Sequence, residues 1–329
     1  MNHIKRRRFL IATGALLAAP SALLAQQPGR TYRIGSAYVA GAATTQPYED
    51  AFLAGLRELG FEVGRNLIYD VRHCDGDPSR LPGAIDELLA LKPDLLAGIE
   101  QVARVMRSKT ATVPIVLTIS SDPVAAGLVK SLRQPGGNVT GNATLYEVLA
   151  AKQVELLGEL LPRMASIAIL IDPGIPASGT IEEHVRKAAQ ARRAKLVAYS
   201  VPDRTALERA FADMERRRPD ALVGSTGSGL IYGFRQFVYK NALRLRIPAA
   251  GPTAVSAEDG ALFTYGVNLH QEFRRAASSA ARILKGAKPG DLPIEQPTKF
   301  ELIVNMKTAK ALGIKIPQSI LVRADRVIE

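Results

Sequence analysis

The chain has 329 residues, 47% hydrophobic and 22% charged, with a net charge of +12. That length suits one large domain or two lobes, and the composition is that of an ordinary soluble globular protein. A single cysteine, Cys74, excludes a disulfide framework and a cysteine-based metal cluster; beside His73 it reads as an exposed or half-buried loop residue.

The first 25 residues read as a leader. Lys5, Arg6, Arg7 and Arg8 are followed by an apolar, uncharged run from Leu10 to Ala25. That run is too short for a comfortable membrane span and fits a secretory signal peptide cleaved after Ala25. Arg6-Arg7-Arg8-Phe9-Leu10 also fits a twin-arginine signal, and the sequence leaves both export routes open. No cysteine follows the run, so a lipid anchor is not expected and the mature protein is expected in the periplasm. Without the four leader cations the charge falls to +8. The excess is dispersed, and Arg216-Arg217-Arg218 closes a predicted helix, where positive charge suits the dipole. No basic stripe interleaved with aromatics marks a nucleic-acid surface.

The mature chain alternates short apolar runs with amphipathic stretches, the pattern of parallel β-α units. Tyr32 to Gly35 is the first predicted strand. Pro47 to Gly60 is a helix with Phe52, Leu53, Leu56 and Leu59 on one face. Asn66 to Val71 is a strand, and Asp77-Pro78-Ser79 caps a helix to about Leu91. Leu95 to Gly98 is a strand, 101–109 a helix, and Val113 to Ile119 a buried strand ending in Ser120-Ser121-Asp122-Pro123. Val124 to Leu132 reads as a short helix and Val139-Thr140 as a strand. Helix 147–161, strand 167–171, helix 179–193, strand 195–201 and helix 203–217 follow. After Ala261 to Gly266 come an amphipathic helix over 268–285, a linker through Pro293, a strand over 300–304, a short helix over 307–312 and a closing segment over 316–322.

The second half repeats the first. Lys92-Pro93-Asp94-Leu95-Leu96-Ala97-Gly98 and Arg218-Pro219-Asp220-Ala221-Leu222-Val223-Gly224 both read basic-Pro-Asp-apolar-Leu-apolar-Gly, 126 residues apart. Ile247-Pro248 answers Val113-Pro114, and Ala261 to Gly266 answers Gly137 to Gly141. The recurrence in one order predicts two similar α/β lobes.

No catalytic or metal constellation accompanies this frame. His3, His73, His184 and His270 are scattered, so no metal site and no cofactor are indicated. Gly224-Ser225-Thr226-Gly227-Ser228-Gly229 has G-x-x-x-x-G, but Leu230-Ile231 stand where a phosphate loop needs Lys and Ser or Thr. It is not a nucleophile elbow either. What remains is a strand end able to offer N–H groups and hydroxyls to an anion, or a plain turn. An α/β enzyme would need a convergent acid–base pair. The sensing domain of a transcription regulator would need a DNA-binding end, where this chain has a leader. A sensor that delivers its ligand to a receptor fits the same pattern as a transporter component.

The stretch Ser121-Asp122-Pro123-Val124 through Gln134-Pro135-Gly136-Gly137-Asn138-Val139-Thr140-Gly141 resembles a signature of one group of ABC-transporter solute-binding proteins, the ABC-sub-bind family, which includes tryptophan- and tyrosine-type import systems. Gln296 to Asn305, Lys310 to Ile314 and Ala324 to Glu329 are similar to the family's C-terminus. The resemblance implies a type I periplasmic binding fold: two Rossmann-like lobes with parallel sheets, joined by three crossovers, with a ligand between them. It implies as partners a small-molecule ligand and a membrane permease with its ATPase, no enzymatic activity, and a monomer. The chain departs from the family pattern at two strand ends. Ile99-Glu100-Gln101 replaces small residues, and Gly224-Ser225-Thr226 replaces a frequent Gly-Ala-Asp.

On this reading lobe I is 26–141 plus about 266–290, and lobe II is 142–265 plus about 294–329. Hinges are expected at Gly141, Gly266 and Pro293. The ligand is expected to be a small polar or zwitterionic solute, an amino acid or related carboxylate among the options. It would meet Ser36, Tyr38, Glu100, Ser120 and Asp122 from the first lobe, with Asp172, Thr226, Ser228 and Thr253 from the second and Asn142 and Tyr265 at the crossovers. Asp122 or Asp172 would take an ammonium, or each would only cap its helix. Glu100 would face the ligand or cap the next helix.

Overall fold

Parallel strands need crossover helices, and the alternating pattern delivers them twice. A computed structural model describes residues 29–144, 146–224 and 228–329; the expected leader, 1–25, lies outside them. The first lobe runs β1 (Tyr32–Tyr38), α1 (Ala42–Glu58), β2 (Leu67–His73), α2 (Leu81–Ala90), β3 (Leu95–Gly98), α3 (Glu100–Lys109), β4 (Ile115–Leu117) and β5 (Val139–Gly141). Its five strands are all parallel, in the order β2-β1-β3-β4-β5.

The second lobe begins with α4 (Tyr146–Leu160), β6 (Ser166–Ile171), α5 (Ser178–Ala191), β7 (Lys195–Ser200), α6 (Arg204–Arg217) and β8 (Ala221–Val223). It continues through α7 (Gly229–Gly233), α8 (Arg235–Arg244), β9 (Ala249–Gly251), α9 (Ala254–Glu258) and β10 (Phe263–Gly266). Then α10 (Leu269–Leu284) lies against α1, with Ala276, Ala277 and Ala280 buried among Phe52, Leu56 and Phe61 of the first lobe. The chain ends with β11 (Glu301–Asn305), α11 (Met306–Leu312), α12 (Gln318–Leu321) and β12 (Arg326–Ile328). The second sheet has the order β12-β11-β10-β9-β8-β6-β7. It is not purely parallel: β11 runs antiparallel to β10, because it enters from the third crossover.

The sequence repeat has a structural cause. Asp94 Oδ2 accepts from Arg33 N at 2.8 Å, tying the entry of β3 to β1. Asp220 Oδ2 accepts from Ser166 N at 2.8 Å, tying the entry of β8 to β6. Lys92 and Arg218 both turn the chain with positive φ, 54° and 47°. Pro114 O and Pro248 O both accept from the second residue of the preceding strand, Leu96 N and Leu222 N.

Several expectations need correction. Residues 124–132 form turns, not a helix. The Asp122 carboxylate takes Val124 N and Ala125 N, and Leu128 N and Val129 N both fold back to Pro123 O. Helix α1 starts at Ala42, five residues before the expected Pro47, which lies inside the helix beyond its first turn and so leaves the Ala43 carbonyl without its helical N–H donor. α7, α8 and α9 were not expected from the sequence. Cys74 is fully buried beside Leu81 and Ile85, where burial pushes its thiol up.

Three crossovers join the lobes, and hydrogen bonds knit them together. Thr140 Oγ1 donates to Leu292 O (2.7 Å), Glu295 N to Gly141 O (2.8 Å), Ala143 N to Glu295 O (2.9 Å) and Asn142 Nδ2 to Glu272 O (2.8 Å). Gly141 has φ +130°, and a Cβ there would lie 2.2 Å from Leu117 O. At Gly266, the end of β10, a Cβ would meet Pro252 O at 1.8 Å. Replacing Gly141 by alanine therefore imposes both strain and a backbone clash. Chemical denaturation of Gly141→Ala is expected to show a loss of at least about 2 kcal/mol; a stability within error of the parent would contradict this placement.

Candidate functional site

Both sheets point their carboxyl ends at the same cleft, where open α/β sheets bind ligands. The lobes enclose a cavity of about 120 Å³ there. One water needs only roughly 10–15 Å³ by the same measure, so the space suits a small organic molecule.

Each wall comes from a strand end or the helix that follows it. Tyr38 ends β1, and Thr44, Thr45 and Tyr48 come from the first turns of α1. Glu100, Gln101 and Arg104 come from α3, and Ile119, Ser120 and Ser121 follow β4. The second lobe contributes Gly174 to Pro176 after β6, Ser228, Gly229 and Tyr232 at α7, and Pro252 and Thr253 after β9. Tyr146 at the start of α4 and Leu269 and Phe273 of α10 complete it. Four of the nine tyrosines thus line one small cavity.

Glu100 is the only carboxylate or histidine in the lining among the described residues. It does not cap its own helix, whose N-cap is Ile99. Its Oε2 instead accepts from Ser120 Oγ (2.6 Å), Ser121 N (2.8 Å) and Asp122 N (3.2 Å). Burial pushes the Glu100 carboxyl above the usual carboxylate range, and these three donors offset part of that rise. Its neighbour Gln101 buries a side-chain oxygen with no hydrogen-bond partner.

The cavity is closed across the cleft at two places. The hydroxyls of Tyr48 and Tyr232 hydrogen-bond to each other. Arg104 Nη1 donates to Gly174 O at 3.1 Å. The Tyr48 ring also stacks on Phe273, with centroids 5.3 Å apart, and the Arg235 guanidinium lies 4.8 Å from the Tyr232 centroid. Behind Tyr38 and Thr45, His73 Nε2 lies 2.9 Å from both Glu49 Oε1 and Thr45 Oγ1.

Of the residues expected at the ligand, Tyr38, Glu100, Ser120, Ser228 and Thr253 line the cavity. Ser36, Asp122, Asn142, Asp172 and Tyr265 do not. Ser36 is buried within β1. Asp122 caps the 123–127 turn. Asp172 uses both oxygens locally, accepting from Gly174 N (2.8 Å) and Ser228 Oγ (2.6 Å). Asn142 sits in the first crossover, and Tyr265 packs on Phe300 with centroids 6.0 Å apart. Thr226 lies outside the described residues.

Sequence reasoning missed the α1 residues, Gln101, Arg104, Tyr146, Tyr232 and Phe273. The available signal was position: each except Arg104, Tyr232 and Phe273 begins or nearly begins a helix that follows a strand end or crossover.

Residues 37–328 match the family described as ABC transporter substrate binding protein. The chain belongs to that family. It is similar to a tyrosine-binding protein of Clostridioides difficile (strain R20291), 27% identical over 265 residues, covering 80% of this chain and 76% of that protein. Among solved structures it resembles an ABC domain from Streptococcus pneumonia in complex with L-Trp, with TM-score 0.83, 27% identity, and 91% and 100% of the two chains covered. It also resembles a substrate binding protein with adhesive properties from Clostridium difficile in its ligand-free, open form. There the TM-score is 0.66 at 25% identity, with 91% and 99% covered. Two mostly parallel α/β lobes around a cleft are thus the type I periplasmic binding architecture, and the protein is a solute-binding protein of the ABC transporter family. No helix among the described residues is long and apolar enough to cross a membrane.

A buried, raised carboxyl has a defined linkage sign. A folded-state value above the unfolded one means that the charged form costs stability as pH rises through the interval between them. Thermal melts of ligand-free Glu100→Gln are expected to match the parent at low pH and to exceed it increasingly toward neutral pH. A parent more stable than the variant at neutral pH would contradict this.

Proposed function

We propose that this protein is the exported solute receptor of an ABC importer. It captures one small molecule between its lobes and delivers it to a membrane permease driven by an ATPase. The leader supports an extracytoplasmic site of action. The observation that carries the reading is the cavity at the carboxyl ends of both sheets, closed by Tyr48–Tyr232 on one side and Arg104–Gly174 on another.

Lobe I, as 26–141 plus about 266–290, and lobe II, as 142–265 plus about 294–329, would move as bodies about Gly141, Gly266 and Pro293. The better match to the L-Trp complex than to the open, ligand-free relative, at nearly equal identity, supports a closed arrangement here. The ligand has a compact apolar or aromatic body, which the tyrosine-rich walls accommodate, and at least one polar group, which Glu100, Gln101 and the threonine and serine hydroxyls serve. Binding without turnover is favoured because, among the described residues, Glu100 has no second carboxylate or histidine facing it in the lining.

The chain has no tryptophan, so its near-ultraviolet emission comes from tyrosine, and four of the nine tyrosines would touch a ligand. A thermal-shift screen of the mature protein against amino acids, amines, small carboxylates, purines and sugars is expected to give at least one stabilising compound, since a ligand at a hundred times its Kd adds about 2.7 kcal/mol. The same compound should change tyrosine emission saturably. A screen without any stabilising solute would count against the receptor reading.

The latch makes a separate prediction. Tyr232→Phe removes one closed-state hydrogen bond, worth about 0.5–1.5 kcal/mol, and is expected to weaken ligand binding by roughly two- to tenfold. Titration calorimetry checks it, and unchanged affinity would remove Tyr48–Tyr232 from the closing mechanism.

A further inference from the structure

We propose that the ligand is a cation: its ammonium group sits between Glu100 Oε1 and the Gln101 side-chain oxygen within the aromatic walls, and aromatic amines bind in preference to the matching amino acids and acids. The proposal deepens the receptor reading above and rests on it.

Two acceptors converge on the cavity from consecutive residues of one helical turn. Glu100 Oε2 is held by three protein donors, while Oε1 has no partner among the described residues. Gln101 Oε1 is buried and also without a partner. Buried polar atoms are almost always hydrogen-bonded, so a donor is missing at Gln101 Oε1, and Glu100 Oε1 on the preceding residue is free to accept from the same group. An ammonium offers three N–H donors and a charge to match the carboxylate.

The walls favour the same group. Four tyrosines and Phe273 line the cavity, and aromatic faces attract a desolvated cation through the ring quadrupole. Asp172, buried behind Ser228 and compensated only by hydrogen-bond donors, adds further negative potential.

A carboxylate finds no comparable partner. Arg104 is the only basic side chain in the lining among the described residues. It stands exposed at the mouth, with Nη1 on Gly174 O. A chain with net charge +12 has therefore set a carboxylate in its cleft with the exposed Arg104 as the one basic side chain of the lining among the described residues, and an α-carboxylate beside Glu100 would be repelled there.

The experiment is titration calorimetry of the mature protein at neutral pH with three matched sets. Tyramine, tryptamine and phenethylamine are each compared with the amino acid of the same side chain and with the acid that lacks the amine. At least one amine is expected to bind, with its amino acid about tenfold weaker or more and its acid about thirtyfold weaker or more. An acid within threefold of its amine, or an amino acid within threefold of its amine or tighter, would overturn the proposal and leave the receptor reading standing. Silence of all three sets, with another solute stabilising the protein in the wider screen, would also overturn it; silence of the whole screen would remove both readings.

Two variants locate the site. Glu100→Gln should weaken the amine about tenfold or more. Because Glu100 also anchors Ser121 and Asp122, Gln101→Met is the second variant: it keeps the volume, removes the free acceptor, and should weaken the amine about threefold or more. Unchanged amine affinity in both variants would overturn the assignment.

Discussion

Three donors converge on one oxygen, Glu100 Oε2, and that convergence fixes the cleft wall of the first lobe. The chain leaves β4 with N–H groups that no strand partner can take. A carboxylate from the start of α3 takes them, which holds two neighbouring strand ends at one spacing. The charge would be costly in this position without such donors. The second lobe solves the same problem with Asp172, which bridges the end of β6 and the start of α7. The two acids differ in one respect. Asp172 has both oxygens occupied by its own lobe, whereas Glu100 keeps one for the cavity.

Much of the fold was legible because it rests on local rules repeated in order. The Lys92-Pro93-Asp94 and Arg218-Pro219-Asp220 segments look alike because they do the same mechanical work. A residue with positive φ ends a helix, and an aspartate pins the next strand to its neighbour. Such short-range chemistry survives in a sequence as a motif. The family signature around Ser121 to Gly141 is also structural in part, since Asp122, Pro123 and Gly141 all shape the backbone there.

The site was only partly legible, and the reason is direction. Asp122, Asp172 and Glu100 all stand at strand ends, and nothing in composition or spacing says which one keeps an oxygen for the cleft. That depends on which backbone N–H groups each finds in the folded chain. Ser36 and Tyr38 lie two apart on one strand and so share a face, yet only the second reaches past the strand's end to the cavity. Tyr232 and Phe273 are brought in by α7 and α10, whose positions are set by packing between distant elements rather than by local sequence. The expected helix at 124–132 failed for a related reason: the Asp122 carboxylate and Pro123 carbonyl captured N–H groups that a helix would have used.

The knitting of the three crossovers bears on how affinity can be tuned. Thr140, Asn142 and Glu295 tie the chain passages between the lobes to one another, so on the hinge reading proposed above they would act as a single torsional spring rather than as three independent joints. The apparent dissociation constant of such a receptor is its intrinsic value divided by the fraction of molecules able to close. Stiffening or relaxing that spring rescales affinity for every ligand by one common factor and leaves their ranking untouched. Strength and selectivity are thereby carried by separate parts of the chain, the crossovers and the cavity walls, and each can drift without disturbing the other.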